Sequence, residues 1–224
     1  MHGIRVFLIA VAVIVSAHVG SAQELSRYRV YTLESDLASV VAASGVRLTD
    51  VKTLHERPAR IQELEWRAPY VSSGSDNADP VRGIVFGFYN DALYQIVVTY
   101  DHGRTDGLTS SDVIKSLSEV YGEPVLSSGK SRPAAAAADT VVLAQWDSAT
   151  TSMTLVRGIY SPEYQVVFIS KELSTKARSA IREAGRLDLV EAPRRELEQR
   201  KKDAADATAA RDKARTTNKA AFRP

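Results

Sequence analysis

The residues best suited to chemistry in this chain are two histidines, each of which has a carboxylate beside it. His55 precedes Glu56, and Asp101 precedes His102. Such pairs could supply nitrogen and oxygen ligands to zinc, but a zinc site needs three or four protein ligands held close together. Both histidines stand in polar, turn-like contexts, which favour surface positions. The sequence therefore predicts no metal site.

Two further segments match known sequence signatures only in part, and a third signature is absent. Residues 101–107 start like a calcium loop but have no acid at the third position and no closing glutamate. Gly129-Lys130-Ser131 ends like a phosphate loop, yet Pro124 stands where that loop requires glycine. No serine lies in the Gly-x-Ser-x-Gly motif of hydrolases, and a chain without cysteine has no thiolate chemistry. We therefore expect a protein that is not an enzyme and holds no cofactor.

Two glutamates, Glu63 and Glu65, are two apart in a strand-like segment, so they share one face of a strand. Paired acids of this kind can act as general acid and base. A polar, solvent-facing row opposite Leu64 and Trp66 explains the same spacing, and it is the interpretation that we prefer.

Four aromatic residues are the candidates for contact with a partner: Trp66, Tyr89, Trp146 and Tyr160. The two tryptophans precede two similar segments at equivalent places, and each of these tyrosines stands before a turn in its segment. Large aromatic side chains fill cores and also anchor interfaces. For tryptophans at equivalent repeat positions, core packing is the interpretation that we prefer, and a binding platform is the alternative.

These aromatic residues belong to an internal repeat. Residues 83–98 and 154–168 each contain an apolar run, a tyrosine, a short turn and then Tyr-Gln-(Ile/Val)-Val. A helix start precedes each copy, at Ser35-Asp36 and at Ser111-Asp112. The repeat predicts an α+β fold of two similar helix-plus-three-antiparallel-strand units with a C-terminal helix. The predicted boundaries are 1–22 for a signal peptide, 23–108 and 109–173 for the two units, and 174–224 for the C-terminal helix and basic polar tail.

Apolar spacing predicts the elements within this frame. Residues 28–33 are expected to form one short strand, 46–60 to be irregular, and 61–67 to be a strand. A hairpin is expected over 83–100, turning at Asn90-Asp91. The helical stripe that begins near Ser174 fades beyond Pro193, so we expect a solvated, fraying helix with a disordered end.

The first 22 residues have the plan of a secretory signal. Arg5 precedes an apolar run from Val6 to Val15, and small residues follow as far as Ala22. The run is shorter than the ~20 residues of a transmembrane helix. We therefore expect a periplasmic or secreted protein that is cleaved near Ala22.

Charge divides the remaining chain into an acidic body and a basic tail. Residues 23–192 carry 18 Lys and Arg against 22 Asp and Glu, whereas residues 193–224 carry 10 against 5. An exported chain does not meet nucleic acid, so we expect no nucleic-acid partner. The tail suits weak, screened contact with an anionic membrane surface.

The helix that ends in Tyr121-Gly122-Glu123-Pro124, with three antiparallel strands after it, resembles the small α+β modules of the outer-membrane assembly lipoproteins called SmpA or OmlA. The tandem arrangement over residues 30–172 is similar to that of β-lactamase inhibitor proteins, although the chain lacks the acylated cysteine of the lipoproteins. The resemblance implies a sheet that packs on its helices and offers its opposite face to a protein partner. We expect a binding or scaffolding module for another envelope protein; the alternative is a small apolar ligand or lipid held between the two units.

Overall fold

A computed structural model describes residues 24–69, 79–125, 140–221 and 223. The predicted signal peptide and the Gly129-Lys130-Ser131 motif lie outside these residues. In chain order the elements are β1 (Arg27–Tyr28), β2 (Tyr31–Thr32), α1 (Leu37–Ser44), a 3₁₀ turn (Leu48–Asp50), β3 (Lys52–His55), β4 (Ile61–Arg67), β5 (Val81–Tyr89), β6 (Ala92–Tyr100), α2 (His102–Thr105), α3 (Ser110–Tyr121), β7 (Thr140–Asp147), β8 (Thr151–Gly158), β9 (Tyr164–Ser170) and α4 (Lys171–Ala221). These elements confirm the predicted α+β class.

Seven strands form the main sheet in the order β3-β4-β5-β6-β9-β8-β7, and every neighbouring pair is antiparallel. The first unit supplies β3 to β6 and the second supplies β7 to β9, so the units meet where β6 pairs with β9. There Val97 lies directly opposite Val167. Because these two valines also match each other in the repeat, the units are related by an approximate twofold axis that passes through this pair.

The two tryptophan-bearing strands occupy matching places in the sheet. Trp66 in β4 lies in line with Val98 in β6 across the sheet, with one residue of β5 between them. Trp146 in β7 lies in line with Phe168 in β9 in the same way, with one residue of β8 between them. Val98 and Phe168 match each other in the repeat, so the predicted equivalence of the tryptophans is confirmed.

The strands β5 and β8, which lie between them, do not match as the sequence repeat predicts. Relative to that alignment, their pairing differs by two residues. Gly87 pairs with Gln95, but the matching Gln165 pairs with Val156 rather than with a glycine. The cause is loop length, because β5 and β6 are joined by two residues whereas β8 and β9 are joined by residues 159–163. Tyr160 therefore lies in a loop, while Tyr89 lies at the end of a strand.

The main core lies between the sheet and a layer formed by α1, α3 and the β1–β2 ribbon, on what we call the helix face. Side chains alternate along each strand, so every second residue points to this face. Its largest fully buried members are Leu64, Ile84, Phe86, Phe88, Leu93, Ile96, Trp146, Met153, Leu155, Tyr164 and Phe168. The start of α3 is fixed by a capping box between Thr109 and Asp112, as the sequence indicates.

The predicted hairpin turn is confirmed at Asn90-Asp91, where both residues have positive φ (47° and 66°). Such a two-residue turn fits the right-handed twist of the strands that it joins.

Two short segments differ from the prediction. Residues 28–33 form a tight two-stranded ribbon, β1–β2, because the chain reverses at Arg29, which has a φ of 53°. Residues 46–60 contain the edge strand β3, whose first three residues are exposed and so show no apolar alternation. The two edge strands of the main sheet, β3 and β7, each carry a β-bulge.

The far face of the sheet, opposite the helix face, is covered at one end by the start of α4. Ser174, Ala177, Ala180 and Ala184 are buried on this helix. Ala177 and Ala180 form a second cluster with Ala59 and Ile61, against which Tyr89 and Tyr94 pack. The small side chains let the helix approach the sheet closely.

Beyond this docked part, α4 continues past Pro193 as a projecting helix. All residues from 192 to 221, which we call the arm, are exposed; at 1.5 Å per residue the arm is about 45 Å long. Arg195 reaches back across the proline and donates to the carbonyl and carboxylate oxygens of Asp188 at 3.2 and 3.0 Å. The predicted disordered end is wrong, since the chain is helical as far as Ala221. Within the described residues, no helix is both long and apolar enough to span a membrane.

Deleting residues 193–224 is expected to shift the thermal midpoint by at most a few degrees. The arm buries almost no apolar area, and stability follows buried apolar area. The deletion keeps the ion pair between Arg57 and Glu191 at 2.9 Å, which is the outermost contact of α4 with the body. Differential scanning calorimetry of the two chains measures the shift, and loss of the folding transition would contradict the expectation.

Candidate functional site

The end of the far face that α4 does not cover forms a shallow depression of about 260 Å³. We call this region the open end. The depression is lined by residues of β4, β5, β6 and β9 and of the loop before β9: Glu65, Arg67, Arg82, Gly83, Ile84, Val85, Thr99, Glu163 and Gln165. It therefore crosses the junction between the two units.

The floor of the open end is a rigid, mixed surface of strand residues. Val85, Thr99 and Gln165 are each half-buried there, and Gly83 leaves the backbone bare beside them. The Gln165 Nε2 donates to the Thr99 Oγ1 at 3.3 Å, which links the two units by their side chains. Hydrogen-bonded strands hold this floor in place without a partner.

The walls of the open end carry two ion pairs whose arginines project outward. The Arg67 Nε donates to the Glu65 Oε1 at 2.7 Å, and Arg82 pairs with Glu163. The side chains of Arg67 and Arg82 are 79% and 60% exposed, more than twice as much as those of their acid partners. The hydrogen bond from Arg67 holds the pKa of Glu65 below its ordinary value. The acids are thus already neutralised, and the guanidinium groups remain on the surface.

The loop of residues 159–163 reaches the same region through Glu163, and it also carries exposed apolar side chains. Ile159 is 55% exposed and Tyr160 is 91% exposed. The loop is tightly folded at its start, since a Cβ added to Gly158 would lie 2.9 Å from the backbone oxygen of Ser161. Glu163 at its other end joins it to Arg82. An exposed aromatic side chain therefore lies three residues before Glu163, in the loop that borders the open end.

Of the four predicted partner-binding residues, only Tyr160 belongs to the loop that reaches the open end, which it does through Glu163. Trp146 is 1% exposed on the helix face, where its Nε1 donates to the Gly122 carbonyl at 2.7 Å. A partner does not reach such a side chain, and the binding interpretation is corrected to core packing. Trp66 packs, half-buried, against the same core. Tyr89 is on the far face, but beside α4.

The residues considered for chemistry are not brought into one site. His55 ends the edge strand β3, and His102 begins α2. Among the described residues, no group of three or more His, Asp or Glu side chains is placed to hold a metal. Glu63 and Glu65 lie two residues apart on β4 and so share one face of the sheet. The ion pair with Arg67 favours the ionised form of Glu65, whereas a general acid needs a raised pKa.

Sequence reasoning missed the arginines and the glutamine of the open end. A signal for Gln165 was present in the sequence, because the same residue type recurs at Gln95 in the other copy of the repeat. A polar residue repeated inside an apolar strand indicates a side chain on the less buried face. No such signal marks Arg82, whose partner Glu163 is 81 residues away.

No protein-family model, curated protein or solved structure matches the chain. The resemblance to the SmpA or OmlA modules therefore stays a prediction from the helix and the three strands that suggested it.

Proposed function

We propose that this is an exported, non-enzymatic binding or scaffolding module that holds another envelope protein on the open end of its far face. The observation that carries the proposal is a preformed sheet surface with the outward arginines Arg67 and Arg82, bordered by the loop that carries the exposed Tyr160. Tyrosine and arginine are enriched at the energetic centres of protein interfaces. This composition favours a macromolecular partner.

The preformed floor supports the same conclusion. Binding loses affinity when loops and side chains must be ordered on association. Val85, Thr99 and Gln165 lie on paired strands, and two ion pairs already orient the walls. A partner would therefore order little beyond Tyr160 and its loop.

A small apolar ligand between the two units is the weaker candidate. Ligand pockets usually enclose about 300–1,000 Å³ within mostly apolar walls. The depression has about 260 Å³, and four of its lining residues are charged. The units themselves join through the paired strands β6 and β9, so their junction is a continuous sheet rather than a cleft.

Tyr160→Ala is expected to weaken capture of the partner by about thirtyfold, the effect of losing an aromatic anchor residue. The full chain, immobilised and exposed to envelope extract of the source cells, should retain a specific protein that quantitative mass spectrometry identifies. Titration of that protein against Tyr160→Ala and Arg82→Ala then measures the loss.

Leu48→Ala is the matched control, since Leu48 is 62% exposed in the 3₁₀ turn after α1 and is absent from the open end. It should leave the affinity unchanged. Equal affinity for all three variants would contradict the proposal, and retention of a small molecule in place of a protein by native mass spectrometry would favour the ligand alternative.

A further inference from the structure

The arm has its charges sorted around the helix axis. Successive residues of an α-helix turn by about 100°, so positions four apart lie nearly in line. Five cations fall within one arc of about 100° along the arm. We call them the cation stripe: Arg200, Lys201, Arg211, Arg215 and Lys219.

None of the arm's acidic residues lies within this arc. By the same helical rotation they fall on the remaining part of the circumference: Glu196, Glu198, Asp203, Asp206 and Asp212. The stripe extends over about 28 Å from Arg200 to Lys219. One face of the arm is therefore predominantly positive, with Asp212 at its margin beside Arg215 and Lys219, although the arm as a whole carries both signs.

The outer part of the stripe is not neutralised by the protein itself. Near the body, Arg194 pairs with Glu198 and Arg200 with Glu196. Among the described residues, Arg211, Arg215 and Lys219 have no carboxylate within ion-pair distance. Their charge is directed to solvent, at the point of α4 farthest from its contacts with the sheet.

We propose that the cation stripe docks the arm on an anionic phospholipid surface. A bilayer presents a flat, continuous plane of negative charge, and a straight row of cations on one helix face can meet such a plane along its whole length. Each Lys or Arg near an anionic bilayer adds about 1 kcal/mol of attraction, or about fivefold in affinity. The stripe needs no apolar insertion for this contact.

The composition of the arm disfavours a protein groove as the alternative. Helices that dock in grooves present large apolar residues at positions such as i, i+4 and i+7. Leu197 is the single large apolar side chain between residues 192 and 221. The stripe thus offers charge and almost nothing to bury.

A second copy of the chain is also a poor occupant. The body is acidic, but several of its carboxylates already hold cations of their own: Asp50, Asp79, Asp147, Glu65, Glu163 and Glu191. Charge complementarity therefore favours a lipid surface, whose phosphates are free of such partners.

Co-sedimentation at low ionic strength tests the proposal with the full chain. The probes are vesicles of phosphatidylglycerol and phosphatidylcholine in equal parts, against phosphatidylcholine alone. Arg211→Gln with Arg215→Gln is expected to weaken binding to the anionic vesicles by about twenty-fivefold. The control, Lys202→Gln with Lys213→Gln, removes the same net charge from the opposite side of the arm and should change binding by less than about threefold.

Three outcomes would overturn the proposal. The first is equal binding of the unmodified chain to both kinds of vesicle, and the second is an equal loss in both double variants, which would show that net charge alone acts. The third is a concentration-dependent dimer in analytical ultracentrifugation that the Arg211 and Arg215 changes abolish, because it would assign the stripe to a second copy. None of these outcomes bears on Tyr160, so this proposal and the proposed function fail separately.

Discussion

Replacing Trp146 with alanine is expected to lower the free energy of unfolding by about 3–5 kcal/mol, the usual cost of removing a large buried aromatic ring. The indole is 1% exposed and belongs to the main core. Its Nε1–H also donates to the Gly122 carbonyl at 2.7 Å, which ties β7 to the residue that ends α3. The variant therefore leaves both a cavity and an unpaired carbonyl. Urea unfolding followed by far-ultraviolet circular dichroism measures the loss.

Two companion variants separate these contributions. Trp146→Phe keeps most of the ring but loses the donor, and should cost about 1–3 kcal/mol, much of it for the unpaired Gly122 carbonyl. Trp66→Ala removes the repeat-equivalent tryptophan, which is only half-buried, and should cost less than Trp146→Ala. Equal losses at the two tryptophans would contradict the different burial that the structure gives them.

Ala177→Glu is expected to detach the docked part of α4 from the sheet. Ala177 is 0% exposed and packs in the cluster that contains Ile61 and Ala180. A carboxylate placed there without a cation costs about 3 kcal/mol or more, which exceeds what a small-residue contact can offset. The helix should lift away while the main core persists. Hydrogen exchange should then show loss of protection over residues 171–187.

Ser179→Glu is the matched control on the same helix, because Ser179 is exposed. It should leave exchange over the docked segment unchanged. Cooperative unfolding of the whole sheet in the Ala177 variant would show instead that α4 and the main core are a single stability unit.

Elements with strong local signals could be predicted from the sequence. The alternation of residues 61–67 and the Asn90-Asp91 turn specified strand and hairpin without reference to distant residues, because period and positive φ are local properties. The Ser111-Asp112 helix start did the same for α3, although the structure places the cap itself at Thr109. β3 was missed since an exposed edge strand leaves no burial pattern to detect.

The candidate site could be predicted only in small part, because whether a surface residue is covered depends on elements that are distant in the sequence. Tyr89 and Tyr160 look alike in their segments, yet α4 packs beside Tyr89, whereas the five-residue loop leaves Tyr160 exposed. The extent of the C-terminal helix as far as Ala221 was likewise unexpected, since the absence of an apolar stripe beyond Pro193 predicted a disordered end. Side-chain pairing along the helix, such as Arg195 with Asp188, supplies support that apolar periodicity does not register.

The β-bulges at the two margins of the sheet have a consequence for solubility. A straight, unpaired edge strand invites the edge of another molecule to continue its hydrogen bonding, and this is how folded sheets begin to aggregate. A bulge twists the margin and breaks the regular spacing of its donors and acceptors. β3 is also only four residues long, and the outer side of β7 is bridged at Gln145 by Val125. The molecule can therefore display a broad sheet surface while its edges resist growth into fibrils.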